Sequence, residues 1–244
     1  MKKICKSILL ESCLVIVLTL LYLWKGYFSH AGEAEWYAGL YGVSESRMDY
    51  LKIGVWIVPF WSVLTYALKD LQQEWDGLFF FTSIRHDSCW AYIKQLLLKT
   101  GKKSVGMAGI NCVWFIIICT VKANICGHQI WINWEHMMKA SVLYILGVLF
   151  LSVITFWIFV YSKNLYMVLG SQIVFFSMLF FISYFPKWIV NVFPICWSSL
   201  IYSSKLWKGG YHVPVILLIE GILIGVICIC GKFCCKKRKL KVLR

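Results

Sequence analysis

Charged residues are scarce in this chain of 244 residues: they make up 15%, and only 11 of them are acidic. Soluble domains usually carry about 25% charged and about 45–50% apolar residues. Here 60% of the residues are hydrophobic, and they cluster into long runs instead of alternating with polar residues. A bilayer core of about 30 Å needs about 20 helical residues to cross it, and several runs approach that length. The composition therefore favours membrane insertion over a large soluble core.

Motifs for nucleotide binding and catalysis are also missing from the sequence. The run Gly101-Lys102-Lys103-Ser104 fails the phosphate-binding pattern GxxxxGK[ST], because lysine occupies the Ser/Thr position and no glycine stands at position 96. The sequence contains no HExxH, no serine–histidine–acid motif and no CxxC pair with zinc spacing. We therefore predict no catalytic residue, no metal and no cofactor, and an intramembrane enzyme is the weakest functional class.

The net charge of +14 would suggest nucleic acid in a soluble protein. No recognition-helix, zinc-finger or RNA-binding motif supports that interpretation. The basic residues instead lie between and beyond the apolar runs, where they set orientation and touch anionic lipid. We predict membrane lipid as a partner, and no nucleic acid.

Five of the eleven cysteines lie inside apolar runs, which does not suit a secreted disulfide framework: Cys13, Cys112, Cys119, Cys228 and Cys230. Cys126 and Cys196 fall in segments predicted to be outside, so a bridge between them stays open. Near the C-terminus, Cys228 and Cys230 point about 200° apart on a helix and cannot both ligate one ion. Packing is the favoured role for this cysteine-rich end, with lipidation or metal binding as the alternative.

The apolar runs predict an all-α membrane protein with six transmembrane helices. The predicted spans cover residues 7–24, 53–68, 105–121, 140–161, 165–185 and 213–231. The second is short and carries Pro59, and the three residues 162–164 between the fourth and fifth demand an antiparallel hairpin. A cleaved signal peptide is the alternative for the first run, but its 18 residues exceed the usual apolar region of about 7–15.

The loop charges predict the orientation. With the N-terminus inside, the inner side holds 17 Lys and Arg residues and the outer side holds 8. Cytoplasmic loops usually carry the excess, so both termini are predicted to be cytoplasmic. The basic residues 232–244 then form a cytoplasmic tail, and the chain is expected in the cell membrane, as a multi-pass protein of a bacterial plasma membrane.

The inner segment 69–104 is the most informative loop. It has an acidic half, a predicted break at Gly77, and an amphipathic half for which Asp87 is a candidate cap. Trp90, Ile93 and Leu97 share one helical face, and Lys94 lies elsewhere. Such a segment suits docking to a soluble partner, and equally an ordinary loop that rests on lipid headgroups.

This arrangement resembles the permease subunits of ABC-2 type transporters, including the small ones linked to bacteriocin or lantibiotic export. The family carries an acid, a glycine, an arginine, an aromatic and a lysine between its second and third helices. The matching positions here are Glu74, Gly77, Arg85, Trp90 and Lys94. The Pro-containing segment 194–197 before the last helix is similar too. The cysteine-rich end and the short second span depart from the family pattern.

The resemblance implies a division of labour between subunits. A separate ATP-binding subunit would hydrolyse ATP, and this chain would pair with a second permease subunit to export a peptide, lipid or drug-like substrate. We assign the coupling role to Glu74, Asp76, Gly77, Arg85, Trp90 and Lys94. The alternative is a non-transporting immunity, assembly or partner-binding membrane protein, which needs no ATPase contact.

One acid lies deep in an apolar run. Glu220 is seven residues beyond the start of the last span, and such residues usually face the bundle interior or a wet cavity. Glu220 could serve in transport or coupling. The alternative is a structural role, as a protonated or tyrosine-paired glutamate between helices. Gly221 and Gly225 beside it form a GxxxG, which we expect to pack within the molecule.

Overall fold

A computed structural model of the protein describes residue 17 and residues 50–85, 89–125, 134–180, 194–197 and 210–242. Every described element longer than one residue is helical, so the all-α prediction is confirmed for this part of the chain. The helices are α1 (Tyr50–Arg85), α2 (Cys89–Ile125), α3 (Trp134–Ser162), α4 (Leu165–Phe180), the short α5 (Pro194–Trp197) and α6 (Val213–Val242). The predicted span 7–24, apart from Val17, lies outside the described residues.

Helix α3 is the centre of the bundle and packs against each of the other described helices. Its sequence is apolar around most of its circumference, which is typical of a helix buried on several sides. Leu143, Tyr144, Val148 and Phe156 are fully buried. The Phe60 ring of α1 meets the Tyr144 ring edge to face, with centroids 4.7 Å apart.

Helices α1 and α2 form a long antiparallel hairpin. Asp70 pairs with Lys103, and Glu74 pairs with Lys99. Moving four residues towards the C-terminus of α1 thus corresponds to moving four residues towards the N-terminus of α2, as in an antiparallel pair. The common midpoint of the two pairs falls between residues 86 and 87, inside the three residues that separate the helices. The register of the ion pairs therefore agrees with the helix ends at Arg85 and Cys89.

The predicted break at Gly77 is wrong, because α1 continues through it to Arg85. Glycine inside a helix costs about 1 kcal/mol relative to alanine, which neighbouring tertiary contacts can offset. Pro59 is also accommodated inside α1. Ser62 lies one turn later, and its hydroxyl donates to the Pro59 carbonyl at 2.9 Å. The proposed cap Asp87 lies outside the described residues.

The link between α3 and α4 is the short hairpin that the sequence predicts. Lys163 adopts a left-handed conformation, with φ 51°, and its N–H donates to the Phe159 carbonyl at 2.7 Å. The Asn164 side chain accepts from the Tyr166 N–H at 2.9 Å and so caps α4. These local bonds reverse the chain within two non-helical residues.

Two described helices are long and apolar enough to cross a membrane: α3, and the Val213–Cys234 part of α6. In the most apolar stretch of α3, 67% of the residues are buried within the protein, whereas in that of α6 only 11% are buried. A shorter apolar helix covers Leu165–Ser177. Helix α6 continues to Val242, so the basic tail begins as part of the helix and not as a separate segment. The other spans and the side of the membrane that each terminus occupies stay predictions.

Candidate functional site

Two ion pairs join α1 to α2, and one of them engages Glu74, an acid that the sequence analysis predicts for partner docking. Glu74 pairs with Lys99, whose side chain is half exposed, and the second pair joins Asp70 to Lys103. Partly exposed pairs in water contribute roughly 0–1 kcal/mol each, so their main effect here is to fix the register of the hairpin. The Glu74 carboxylate already has a partner within the chain.

Trp90, the predicted docking anchor, is half-buried at the junction of three helices. Its ring lies parallel to that of Trp157 of α3, with centroids 6.4 Å apart. Lys232 of α6 places its ammonium 5.9 Å from the Trp90 ring centroid, a cation–π distance. Ile93 is buried and Leu97 is partly buried against the same core. The amphipathic face has the composition predicted for it, but it packs within the molecule.

The predicted coupling residues are spread along the hairpin. Asp76, Gly77 and Arg85 belong to α1, but their side chains lie outside the described residues. The backbone between Glu74 and Arg85 rises by about 16 Å. Of the six predicted coupling residues, Lys94 alone has a described side chain that is exposed and lacks a described carboxylate partner. The structure therefore does not gather this set into one described patch.

Contacts between α2 and α3 fix how the two helices lie side by side. Trp90 stacks on Trp157, a methyl group built on Gly101 would lie 3.4 Å from Leu149 Cδ1, and the Asn111 amide donates to the Tyr144 hydroxyl at 3.2 Å. Residues 90–111 of α2 therefore run antiparallel to residues 157–144 of α3. The segment 69–104, predicted as a loop beyond the membrane, therefore lies at the same level along the bundle axis as the predicted span 140–161. The prediction places the two one after the other along that axis.

This packing creates an exposed polar surface beside the middle of a candidate span. We call it the polar flank. Its exposed side chains are Lys69, Gln73, Lys94, Gln95, Lys99 and Lys102. At the same level, the exposed side chains of α6 are apolar: Leu218, Ile222, Val226 and Ile229. The exposed face of α6 is thus suited to acyl chains, and the polar flank is not.

Glu220 is fully buried, and neither carboxylate oxygen has a hydrogen-bond partner among the described residues. It lies on the side of α6 that faces α3, because Ile224 and Ile227, one and two turns on, pack against the α3 core. The Tyr144 hydroxyl, a candidate tyrosine partner, accepts instead from Asn111. The tyrosine-paired interpretation therefore has no support in the described contacts.

Asn111 and Ser104 are polar core residues that the sequence reasoning missed. Both are fully buried in α2, and Asn111 Oδ1 and Ser104 Oγ have no described partner. The available signal was an asparagine inside the apolar run 105–121. Buried polar groups without partners cost about 1–3 kcal/mol each, so the interior of this bundle is not optimised for stability alone.

Among the described residues, the GxxxG glycines make no close helix contact. No described residue lies within 4 Å of a Cβ added at Gly221 or Gly225. The close contact is at Gly231, where an added Cβ would overlap the Trp157 indole, and where the Gly231 carbonyl accepts from the Tyr161 hydroxyl at 3.4 Å. The predicted packing role belongs to Gly231 among the described glycines of α6.

Cysteine and metal chemistry find little support in the described part of the chain. Cys112, Cys196, Cys228, Cys230 and Cys234 are free thiols. Cys126, the other candidate for a bridge, lies outside the described residues. No group of three His, Cys, Asp or Glu side chains within the described ranges could hold a metal ion.

Comparison of the chain with protein-family models, with curated proteins and with solved structures finds no match. The candidate site is therefore defined by its own geometry: an ion-paired hairpin, a polar flank and a buried unpaired glutamate around one apolar helix.

Proposed function

We propose that this protein is a membrane-embedded permease subunit of an ABC-type transporter. A separate subunit would hydrolyse ATP, and a second permease subunit would complete the passage for an exported peptide, lipid or drug-like substrate. The observation that carries the proposal is the polar flank beside α3. Lysine at the centre of a membrane costs about 2.5–3.5 kcal/mol on insertion scales, so Lys69 and Lys102 would face water or protein, not acyl chains.

The hairpin suits a mechanical role in such a transporter. Helices α1 and α2 have 36 and 37 residues, or about 55 Å each, well beyond the 30 Å of a bilayer core. Two ion pairs fix their register, and the Trp90–Trp157 contact connects their tip to α3. A partner that pushes on the tip would therefore move α3 with it.

A labelling experiment tests the polar flank in the intact membrane. Cysteines introduced at Gln95 and Lys102 should react with a hydrophilic maleimide, because water reaches that side. Cysteines at Leu218 and Ile222 are the matched controls at the lipid side, and should react at least tenfold more slowly. Labelling is read as the gain over the wild-type protein, which has exposed Cys230 and Cys234 of its own. Equal rates on the two sides would remove the basis for a water-lined passage.

ATPase docking is tested at the hairpin tip. We expect Arg85→Glu and Trp90→Ala to abolish co-purification with the ATP-binding subunit, because the tip would lose charge and an aromatic contact. Since Trp90 also packs on Trp157, Trp90→Ala needs a folding control, and thermal unfolding of both purified variants supplies it. Lys139→Gln, near the start of α3, is the matched charge control. Retention of the ATPase and its stimulated turnover in both variants would contradict docking at the tip.

The second candidate is a non-transporting immunity, assembly or partner-binding protein. One observation favours it: Glu74 and Trp90 already have partners within the chain, as expected of residues that stabilise the fold and do not bind an ATPase. The two candidates differ in what the ATPase does. A permease stimulates ATP hydrolysis when substrate is present, whereas a partner-binding protein leaves the basal rate unchanged.

A further inference from the structure

The outward face of α2 changes character along its length. Its exposed side chains recur at helical spacing from Lys94 to Ile117 and so follow one side of the helix. The first half carries Lys94, Gln95, Lys99 and Lys102, with exposed Leu98 among them. The second half carries Ile110, Val113, Trp114 and Ile117, all more than a third exposed. We call these the cationic half and the apolar half.

The cationic half keeps positive charge that the protein does not neutralise. Lys99 pairs with Glu74, but no described carboxylate pairs with Lys94 or Lys102. Both residues are on the exposed side of α2, and their backbone positions are about 12 Å apart along the helix axis. Together they form a site for a ligand with negative charge.

The apolar half continues the same face of α2. From Ile110 to Ile117 the helix rises by about 10 Å. Half the thickness of a bilayer core is about 15 Å. The apolar half therefore covers about two thirds of one acyl chain layer, and it begins two turns beyond Lys102.

We propose that this face binds an amphiphile with an anionic, phosphate-bearing headgroup. Lys94 and Lys102 hold the headgroup, and the side chains from Ile110 to Ile117 hold its acyl chain. A folded acidic protein would match the lysines but not the apolar half, and a neutral lipid would match only the apolar half. The binding stands on this face alone, and the role of the amphiphile as transported substrate rests on the proposed function.

Binding is tested with the purified full-length protein in detergent, using fluorescent phosphatidylglycerol and phosphatidylcholine as probes. A basic residue near an anionic headgroup contributes about 1 kcal/mol, so Lys94→Gln and Lys102→Gln should each weaken phosphatidylglycerol binding about fivefold. Phosphatidylcholine binding should stay within twofold. Lys94→Arg and Lys102→Arg should restore binding, and Lys163→Gln, at the exposed α3–α4 link, is the matched control. Unchanged phosphatidylglycerol binding in the double glutamine variant would overturn the proposal.

Two further arms identify the ligand. Glycerol phosphate carries the headgroup charge without the chain, and its affinity should be at least tenfold lower; equal affinity would mean a free phosphate site. Val113→Asn with Ile117→Asn should weaken phosphatidylglycerol but not glycerol phosphate, and the opposite result would place the acyl chain elsewhere. Failure to purify an ATPase with this chain would refute the proposed function without altering these binding results. In a complex with the ATPase, turnover stimulated by phosphatidylglycerol and not by phosphatidylcholine supports the substrate role; equal turnover rejects it.

Discussion

Gly231→Ala should lower the free energy of unfolding by about 1–3 kcal/mol, the usual range for overpacking a dense contact. A Cβ at this position would overlap the Trp157 indole. That ring cannot easily move aside, since it stacks between Trp90 and Tyr161 and meets Phe156 edge to face. Helix α6 would have to retreat from α3. Thermal or detergent-induced unfolding of the purified protein measures the change.

Gly225→Ala is the matched control, because no described residue lies within 4 Å of its added Cβ. Alanine is a better helix former than glycine by about 0.8–1.0 kcal/mol, so this variant should be neutral or slightly more stable. The same substitution six residues apart would then have opposite signs. Similar losses of stability in Gly225→Ala and Gly231→Ala would contradict the prediction. The cost of Gly231→Ala would then not come from the contact with Trp157.

Glu220→Leu should make the protein more stable by about 1–3 kcal/mol, the cost of a buried polar group without a partner. Leucine has a similar volume, so the packing between α6 and α3 changes little. The same variant should abolish transport or substrate-stimulated ATP hydrolysis, because a buried unpaired acid at a stability cost is a functional group by default. Paired measurements of unfolding and turnover on one preparation check both expectations.

Glu220→Gln keeps a polar side chain of similar size but removes the ionisable carboxyl group, so it tests whether ionisation is needed for turnover. It should insert and express normally and still reduce turnover. Glu135→Gln is the control, since Glu135 is exposed and its i,i+4 pair with Lys139 contributes only about 0.3–0.5 kcal/mol. A loss of stability in Glu220→Leu would contradict this prediction, because it would show that the carboxyl group has a partner that stabilises the fold.

Features set by local chemistry could be predicted from the sequence. The three residues between two apolar runs predict the α3–α4 hairpin. The periodicity of Ile93 and Leu97 identifies the buried face of α2. Burial of Glu220 follows from its place in an apolar run. Each of these depends on neighbours within a few turns of helix.

Features set by contacts between distant residues could not be predicted. Hydropathy treats each run separately, so it cannot show that the charged part of α2 lies beside the apolar middle of α3. That alignment depends on pairs such as Asp70 with Lys103 and Asn111 with Tyr144, which are far apart in sequence. The same holds for Trp90: its face was predictable, but its partner Trp157 was not.

The level at which α2 lies beside α3 also has a consequence for the surrounding bilayer. The predicted span 105–121 of α2 is about 25 Å long, whereas the apolar part of α6, Val213–Cys234, is about 33 Å long. Lipids adapt to such a difference by thinning on the short side, at a cost of a fraction of a kcal/mol per Å. A membrane around this protein would be several ångströms thinner beside α2 than beside α6. The protein would therefore accumulate where bilayers are thin or easily bent, and its activity would depend on acyl chain length.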